Sequence, residues 1–176
     1  MILLYMGIIF YLCNNLLKIK IMMEIGDKVP EILGTDQDGK QISLSDFKGK
    51  KLVLYFYPKD STPGCTSQAC NLRDNYELMM KRGYAVVGVS VQDEKSHKKF
   101  IEKYDLPFPL IADVDKKLNE TFGVYGEKKM YGRSYMGTFR TTFIIGTDGT
   151  VEEIFTPKQI KVKEHAEQIL AAAEQK

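Results

Sequence analysis

The sequence predicts an α/β fold in which a mixed central β-sheet is flanked by helices and preceded by an N-terminal β-hairpin. Three observations predict it. Leu52-Val53-Leu54-Tyr55-Phe56-Tyr57 and Tyr84-Ala85-Val86-Val87-Gly88-Val89-Ser90-Val91 are near-continuous apolar runs, the pattern of strands buried on both faces. Segments with apolar residues at helical spacing follow each run, and strand–helix–strand order implies parallel strands joined by right-handed crossovers. Asp38-Gly39 and Asp148-Gly149 each sit between apolar stretches and mark hairpin turns, so part of the sheet is antiparallel.

The elements follow in order. Gly34 to Lys40, flanked by Ile32-Leu33 and by Ile42 and Leu44, is the first hairpin. Ser45 to Gly49 is a short or one-turn helical segment, and Lys48-Gly49-Lys50-Lys51 a solvated turn. Pro58 ends the strand 52–57. From Cys65 to Arg82 there is no Gly or Pro, and Ala69, Leu72, Tyr76, Met79 and Met80 keep helical spacing until Gly83 stops the helix. Asp93 or Ser96 caps the next helix, through Phe100, Ile101 and Tyr104. Leu106 to Ala112 is a loop and then a short strand. Asp113 and Asp115 cap a helix through Leu118 and Phe122. Arg140–Ile145 and Val151–Phe155 form the second hairpin, and Val162–Ala173 the last helix. This order matches the thioredoxin-like layout.

With 176 residues the chain has room for one α/β domain with a sizeable core, and no internal repeat or linker divides residues 22–176. The net charge of +2 gives no reason to expect nucleic acid as a partner. Residues 1–21 stand apart. Met1 to Cys13 is almost wholly apolar and shorter than a spanning helix, and its charges, Lys18 and Lys20, follow the apolar stretch where a signal peptide has them in front. The favoured reading is an upstream extension ahead of a start near Met22 or Met23; a short membrane anchor and a poor signal sequence are the alternatives. A start near Met22 implies a cytoplasmic protein, and a membrane association only if the extension is retained.

Three cysteines are too few for a disulfide scaffold, which directs attention to the pair Cys65 and Cys70. Cys65 closes the run Pro58-Lys59-Asp60-Ser61-Thr62-Pro63-Gly64-Cys65 at the mouth of a helix. The unpaired N–H groups and dipole of a helix N-terminus favour a thiolate, the nucleophilic form. Pro63-Gly64 turns the backbone tightly and leaves room near the sulfur. Thr62 offers a hydroxyl donor, or serves only as a helix cap. Pro58 fixes the strand exit and shields one side. An arginine from elsewhere would complete the site. Arg73, Arg82, Arg133 and Arg140 are the candidates, and Arg140 is best positioned because it opens a strand whose end can lie beside the end of 52–57.

Pro58-x-x-x-Thr62-x-x-Cys65 resembles the active-site signature of the peroxiredoxins. The block Tyr55 to Cys70, together with Phe122 to Lys128 and Arg140-Thr141-Thr142-Phe143, is similar to the bacterioferritin comigratory protein, or Q-type, subfamily, over residues 24 to about 174. The resemblance implies a thioredoxin-like fold and a peroxidatic cysteine at Cys65 that reduces hydrogen peroxide or alkyl hydroperoxides. It implies activating roles for Thr62 and Arg140, a shielding Pro58, a resolving Cys70, recycling by thioredoxin or a similar dithiol, and a monomer, with a dimer as the alternative. The cycle requires no metal and no organic cofactor.

Spacing adds a constraint of its own. Five residues on an ideal helix put two Cα atoms roughly 8.6 Å apart, whereas a disulfide needs less than about 7 Å. Bonding between Cys65 and Cys70 therefore requires the helix to unwind.

His97, among three lysines, and His165, on the last helix, are expected to be solvated, and neither has a partner at a metal-ligand spacing. Cys13 is expected to be passive. Absence of Trp rules out the Trp-containing site of the glutathione-peroxidase-like enzymes, and absence of CxxC argues against a disulfide oxidoreductase. A copper-delivery protein would need one of those two histidines beside the cysteine pair.

Overall fold

The computed structural model describes residues 22–130 and 132–173. The extension 1–21, with Cys13, lies outside the described residues.

The N-terminal hairpin is β1 (Ile32–Thr35) and β2 (Gln41–Ser43). Asp36 builds its turn: the carboxylate accepts the N–H groups of Asp38 at 2.8 Å and Lys40 at 2.9 Å. A 3₁₀ turn at Leu44–Phe47 leads to β3 (Lys51–Phe56). Then come α1 (Pro63–Asp74), α2 (Tyr76–Lys81), β4 (Tyr84–Ser90), α3 (Glu94–Tyr104), β5 (Leu110–Ala112) and α4 (Lys117–Thr121). The chain continues through β6 (Tyr125–Met130), β7 (Arg133–Thr138), β8 (Thr141–Ile145), β9 (Val151–Phe155) and α5 (His165–Ala173).

The central sheet has the order β5-β4-β3-β8-β9. β3 runs parallel to β4, and β4 to β5; β8 is antiparallel to β3 and to β9. Strand β3 shows why the run 52–57 is apolar on both sides. Val53, Tyr55 and Tyr57 enter a core with Ala69 and Leu72 of α1, Phe100 of α3 and Ile169 of α5. Leu52, Leu54 and Phe56 enter the opposite core with Leu33 and Ile42 of the hairpin and Leu118 beside Phe122. The sheet is thus covered on both faces, as predicted, in a thioredoxin-like α/β arrangement. Gly88 is required where β4 passes against Leu110 and Tyr55: a Cβ there would lie 2.5 Å from Leu110 and 2.8 Å from the Tyr55 ring.

Four expectations need correction. The single helix expected from Cys65 to Arg82 begins at Pro63, where a missing N–H costs no bond, and is broken at Asn75 (φ −102°, ψ 5°). The Asn75 side-chain amide donates to the Asn71 carbonyl at 3.0 Å, sharing that acceptor with its own backbone N–H at 3.2 Å, the kind of local back-bonding that bends helices. The β6–β7 hairpin was not expected, because the segment 125–138 is mostly polar or glycine-interrupted and has no clear alternation. Lys51 does not lie in a solvated turn: it opens β3 and pairs with Glu152 at 2.6 Å. Both histidines, expected in solvent, are fully buried.

His165 shows why helical position alone misleads. Its Nε2 accepts from Thr142 Oγ1 at 2.9 Å, pinning α5 to β8. Burial pushes the imidazole down to about 4 from 6.5, Gln168 opposes this, and the Arg140 charge adds to it. A depressed folded-state value leaves stability intact above about pH 6.5 and removes it as the pH falls towards 4. The loss across that window is about 3 kcal/mol. Denaturant titrations of the parent and of His165→Gln between pH 4 and 7 should show a clearly flatter profile in the variant; parallel profiles would refute the assignment.

Candidate active site

The site is assembled where β3 ends. The Tyr57 N–H donates to Val89 C=O at 3.0 Å, extending the sheet by one residue, and Pro58 then ends the pairing. Asp60 anchors the loop that follows. Its carboxylate accepts from Tyr57 Oη at 2.7 Å and Ser96 Oγ at 2.6 Å, and meets His97 Nδ1 at 2.9 Å. His97 Nε2 reaches the Ile111 carbonyl at 3.1 Å, so the loop is fastened to both α3 and β5. Burial pushes the Asp60 carboxyl up, but the hydrogen bond and charge of His97, with the hydroxyls of Ser96 and Tyr57, outweigh it and hold the group below its ordinary value. Ser61 then adopts a left-handed φ of 56°, a conformation that costs a non-glycine residue energy and needs a fixed neighbour.

Thr62 is the residue before α1, in extended conformation (φ −87°, ψ 151°). Its hydroxyl makes no capping bond and donates to the Lys59 carbonyl at 3.1 Å, so its proton is not directed at the sulfur in this structure. The first helical bond runs from Thr66 N–H to Thr62 C=O at 2.8 Å. Cys65 therefore lies in the first turn, where backbone N–H groups precede the ladder. It is a free thiol, 1% exposed. Cys70 is also free, half-buried, on the same helix.

Strand register delivers Arg140. Tyr55 pairs with Thr142 and Phe56 with Thr141, so the residue preceding Thr141 falls beside the exit of β3. Arg140 sits just before β8 rather than inside it. Its Nη2 is 3.3 Å from Cys65 Sγ, and its Nη1 donates to Gln68 Oε1. The guanidinium thus faces the sulfur with one edge while Gln68, one helical turn beyond Cys65, holds the other. Gly64 leaves the space: a Cβ there would be 3.3 Å from Nη2. Arg73 instead binds Asp74 and the Tyr104 carbonyl, and Arg133 is exposed on β7.

Sequence reasoning did not find Gln68, Asp60, Ser96 or Lys128. Gln68 had a signal, since positions three apart share a helix face. Lys128 is half-buried under Tyr135 and Phe139, with its Nζ on the Thr138 carbonyl at 3.0 Å. Desolvation pushes its ammonium down, as does Arg140, while Cys65 opposes. Among the described residues no group of three His, Cys, Asp or Glu side chains could hold a metal ion, and no helix is long and apolar enough to cross a membrane.

A buried thiol in the first turn of a helix, hydrogen-bonded by a fixed guanidinium and five residues from a second thiol on the same helix, is arranged for nucleophilic attack followed by thiol exchange. Fold and site together define a thiol peroxidase of the thioredoxin-fold class.

The chain belongs to the AhpC/TSA family, whose model matches residues 25–154. It is 43% identical over 148 residues to peroxiredoxin Bcp of Bacillus subtilis, covering 84% of this chain and 93% of that protein. It is 42% identical to peroxiredoxin Bcp of Escherichia coli K12 over the same length, covering 94% of that protein. Among solved structures, a mutant of Xylella fastidiosa PrxQ superposes with a TM-score of 0.78 at 34% identity, covering 88% of this chain and 97% of that one. A Xanthomonas campestris bacterioferritin comigratory protein, studied for alkyl peroxide reduction, superposes with a TM-score of 0.72 at 38% identity, covering 80% and 88%. The chain is accordingly a peroxiredoxin, an oxidoreductase that reduces peroxides through a cysteine.

Proposed function

We propose that Cys65 is the peroxidatic residue and Cys70 the resolving one, and that the substrates are hydrogen peroxide and organic hydroperoxides. The observation that carries this reading is the 3.3 Å contact between Arg140 Nη2 and Cys65 Sγ in the first turn of α1. The Cys65 thiolate attacks the terminal peroxide oxygen. The O–O bond breaks, the leaving alkoxide or hydroxide takes a proton, and Cys65 becomes a sulfenic acid. Arg140 stabilises negative charge first on the sulfur and then on the departing oxygen. Thr62 must turn its hydroxyl away from the Lys59 carbonyl to donate to the bound peroxide. Pro58 closes one side of the approach.

Cys70 then displaces water from the sulfenic acid to form the disulfide. Both cysteines lie in α1, so the Cα separation of roughly 8.6 Å must shorten and the first turns must unwind. A dithiol of the thioredoxin kind attacks the disulfide and restores both thiols. Because the pair sits on one helix of one chain, the cycle closes in a monomer. A cycle that is closed by a dithiol reductant suits a reducing compartment, and we place the reaction in the cytoplasm.

A coupled assay in which added peroxide drives thioredoxin oxidation tests the overall cycle; no peroxide-dependent turnover would sink it. Circular dichroism tests the unwinding: the oxidised form, with its disulfide confirmed by mass, should show less helix than the reduced form. Equal helix content would overturn the unwinding step.

A further inference from the structure

Asn71, next to Cys70, is bound to the C-terminal helix more densely than its position on a half-buried helix face requires. Its Oδ1 accepts the Ala166 N–H at 2.8 Å. Its Nδ2 donates to the Lys163 carbonyl and to Glu167 Oε2, both at 3.0 Å. Asn71 therefore satisfies, from another element, one of the unpaired N–H groups in the first turn of α5. Around these bonds Ala69 and Leu72 of α1 pack in the same core as Ala166 and Ile169 of α5. Asn71 is joined by a peptide bond to Cys70, so unwinding that starts in the first turn of α1 and runs on as far as Cys70 pulls Asn71 off α5.

We propose that Asn71 is a positioning residue for the resolving step, a clamp that sets how often Cys70 is released to meet the Cys65 sulfenic acid. The inference rests on the resolving role of Cys70. The sulfenic acid has two fates. Condensation with the Cys70 thiol gives the disulfide and water. Attack on a second peroxide gives the sulfinic acid and an alcohol or water, with the O–O bond cleaved and the sulfur further oxidised. The first fate waits for α1 to unwind, whereas the second proceeds in the folded form and rises with peroxide. By holding α1 closed, Asn71 biases the partition towards sulfinic acid.

The experiment oxidises the full chain with a range of hydrogen peroxide concentrations under single-turnover conditions and resolves disulfide from sulfinic acid by intact mass. Loss of a capping side chain changes an equilibrium by about threefold to thirtyfold. Asn71→Ala should raise the peroxide concentration at which the two products are equal by that factor and leave the rate of the first oxidation unchanged. Asn71→Asp combined with Glu167→Gln restores the acceptor for Ala166 N–H and supplies an amide donor from the other side, and should return the partition towards that of the parent. Val151→Ala, which opens a cavity in the opposite core, controls for general loss of stability. Should Asn71→Ala fail to fold, Asn71→Ser carries the same expectation. An unchanged partition in the Asn71 variants, or an equal shift in Val151→Ala, overturns the clamp while leaving Cys70 as the resolving residue. If the parent forms no Cys65–Cys70 disulfide at all, the resolving role and the clamp fall together.

Discussion

Cys65→Ser is expected to abolish peroxide-dependent oxidation of thioredoxin, whereas Cys70→Ser is expected to leave the first oxidation of Cys65 intact and to stop recycling. The asymmetry follows from the chemistry of each position. A serine hydroxyl remains protonated near neutral pH and attacks an O–O bond poorly, so the loss on removing Cys65 is at least about a thousandfold. Size hardly changes, and Cys65 lies at the edge of a core that Ala69 and Leu72 continue to fill, so the variant should fold. Cys70 is half-buried and takes part only after the sulfenic acid exists. In Cys70→Ser, one equivalent of peroxide should convert Cys65 to a sulfenic acid trappable by a carbonyl nucleophile such as dimedone. Thioredoxin-linked turnover should fall to background. Normal turnover in that variant would remove the resolving role, and residual turnover in Cys65→Ser would remove the peroxidatic one.

Arg140→Gln should lower the second-order rate constant with hydrogen peroxide by about a hundredfold to a thousandfold, the usual consequence of deleting one fixed donor to a developing negative charge. Arg140→Lys should recover only part of it. A guanidinium has parallel donors, and here one reaches Cys65 Sγ while the other is held by Gln68. An ammonium offers charge without that fork and cannot be held and act in the same plane. Stopped-flow competition against a reference peroxidase reads the constant directly. A change of less than about threefold in Arg140→Gln would show that the guanidinium is a structural neighbour of the thiol and not part of the reaction.

The central strands and the position of Arg140 were legible in the sequence because they follow from local pattern plus one pairing rule. The run 52–57 has no polar face, so it had to be sandwiched, and a neighbouring strand ending beside it could bring Arg140 close, as the pairing with β8 does. What could not be read depends on partners distant in sequence. His97 looks solvated among Lys95, Lys98 and Lys99 until Asp60 folds in from a loop 37 positions earlier. His165 looks like the surface of a terminal helix until Thr142 is seen beneath it. The break at Asn75 goes with a side-chain amide that bonds the same Asn71 carbonyl as its own backbone N–H, a local effect that residue type alone does not announce. The hairpin β6–β7 owes little to burial, so it left no hydrophobic period to detect.

If the proposed cycle holds, the near-complete enclosure of the Cys65 sulfur gives the enzyme the behaviour of a rectifier. While α1 is wound, a sulfur that is 1% exposed is open only to small molecules of the size of a peroxide. A protein dithiol is too large to reach it. Once the disulfide has formed and the helix has opened, the same sulfur is presented to bulky partners and has no free thiolate left to meet another peroxide. In the proposed cycle electrons would enter through one conformation and leave through the other, so the two substrates would not compete for one open site.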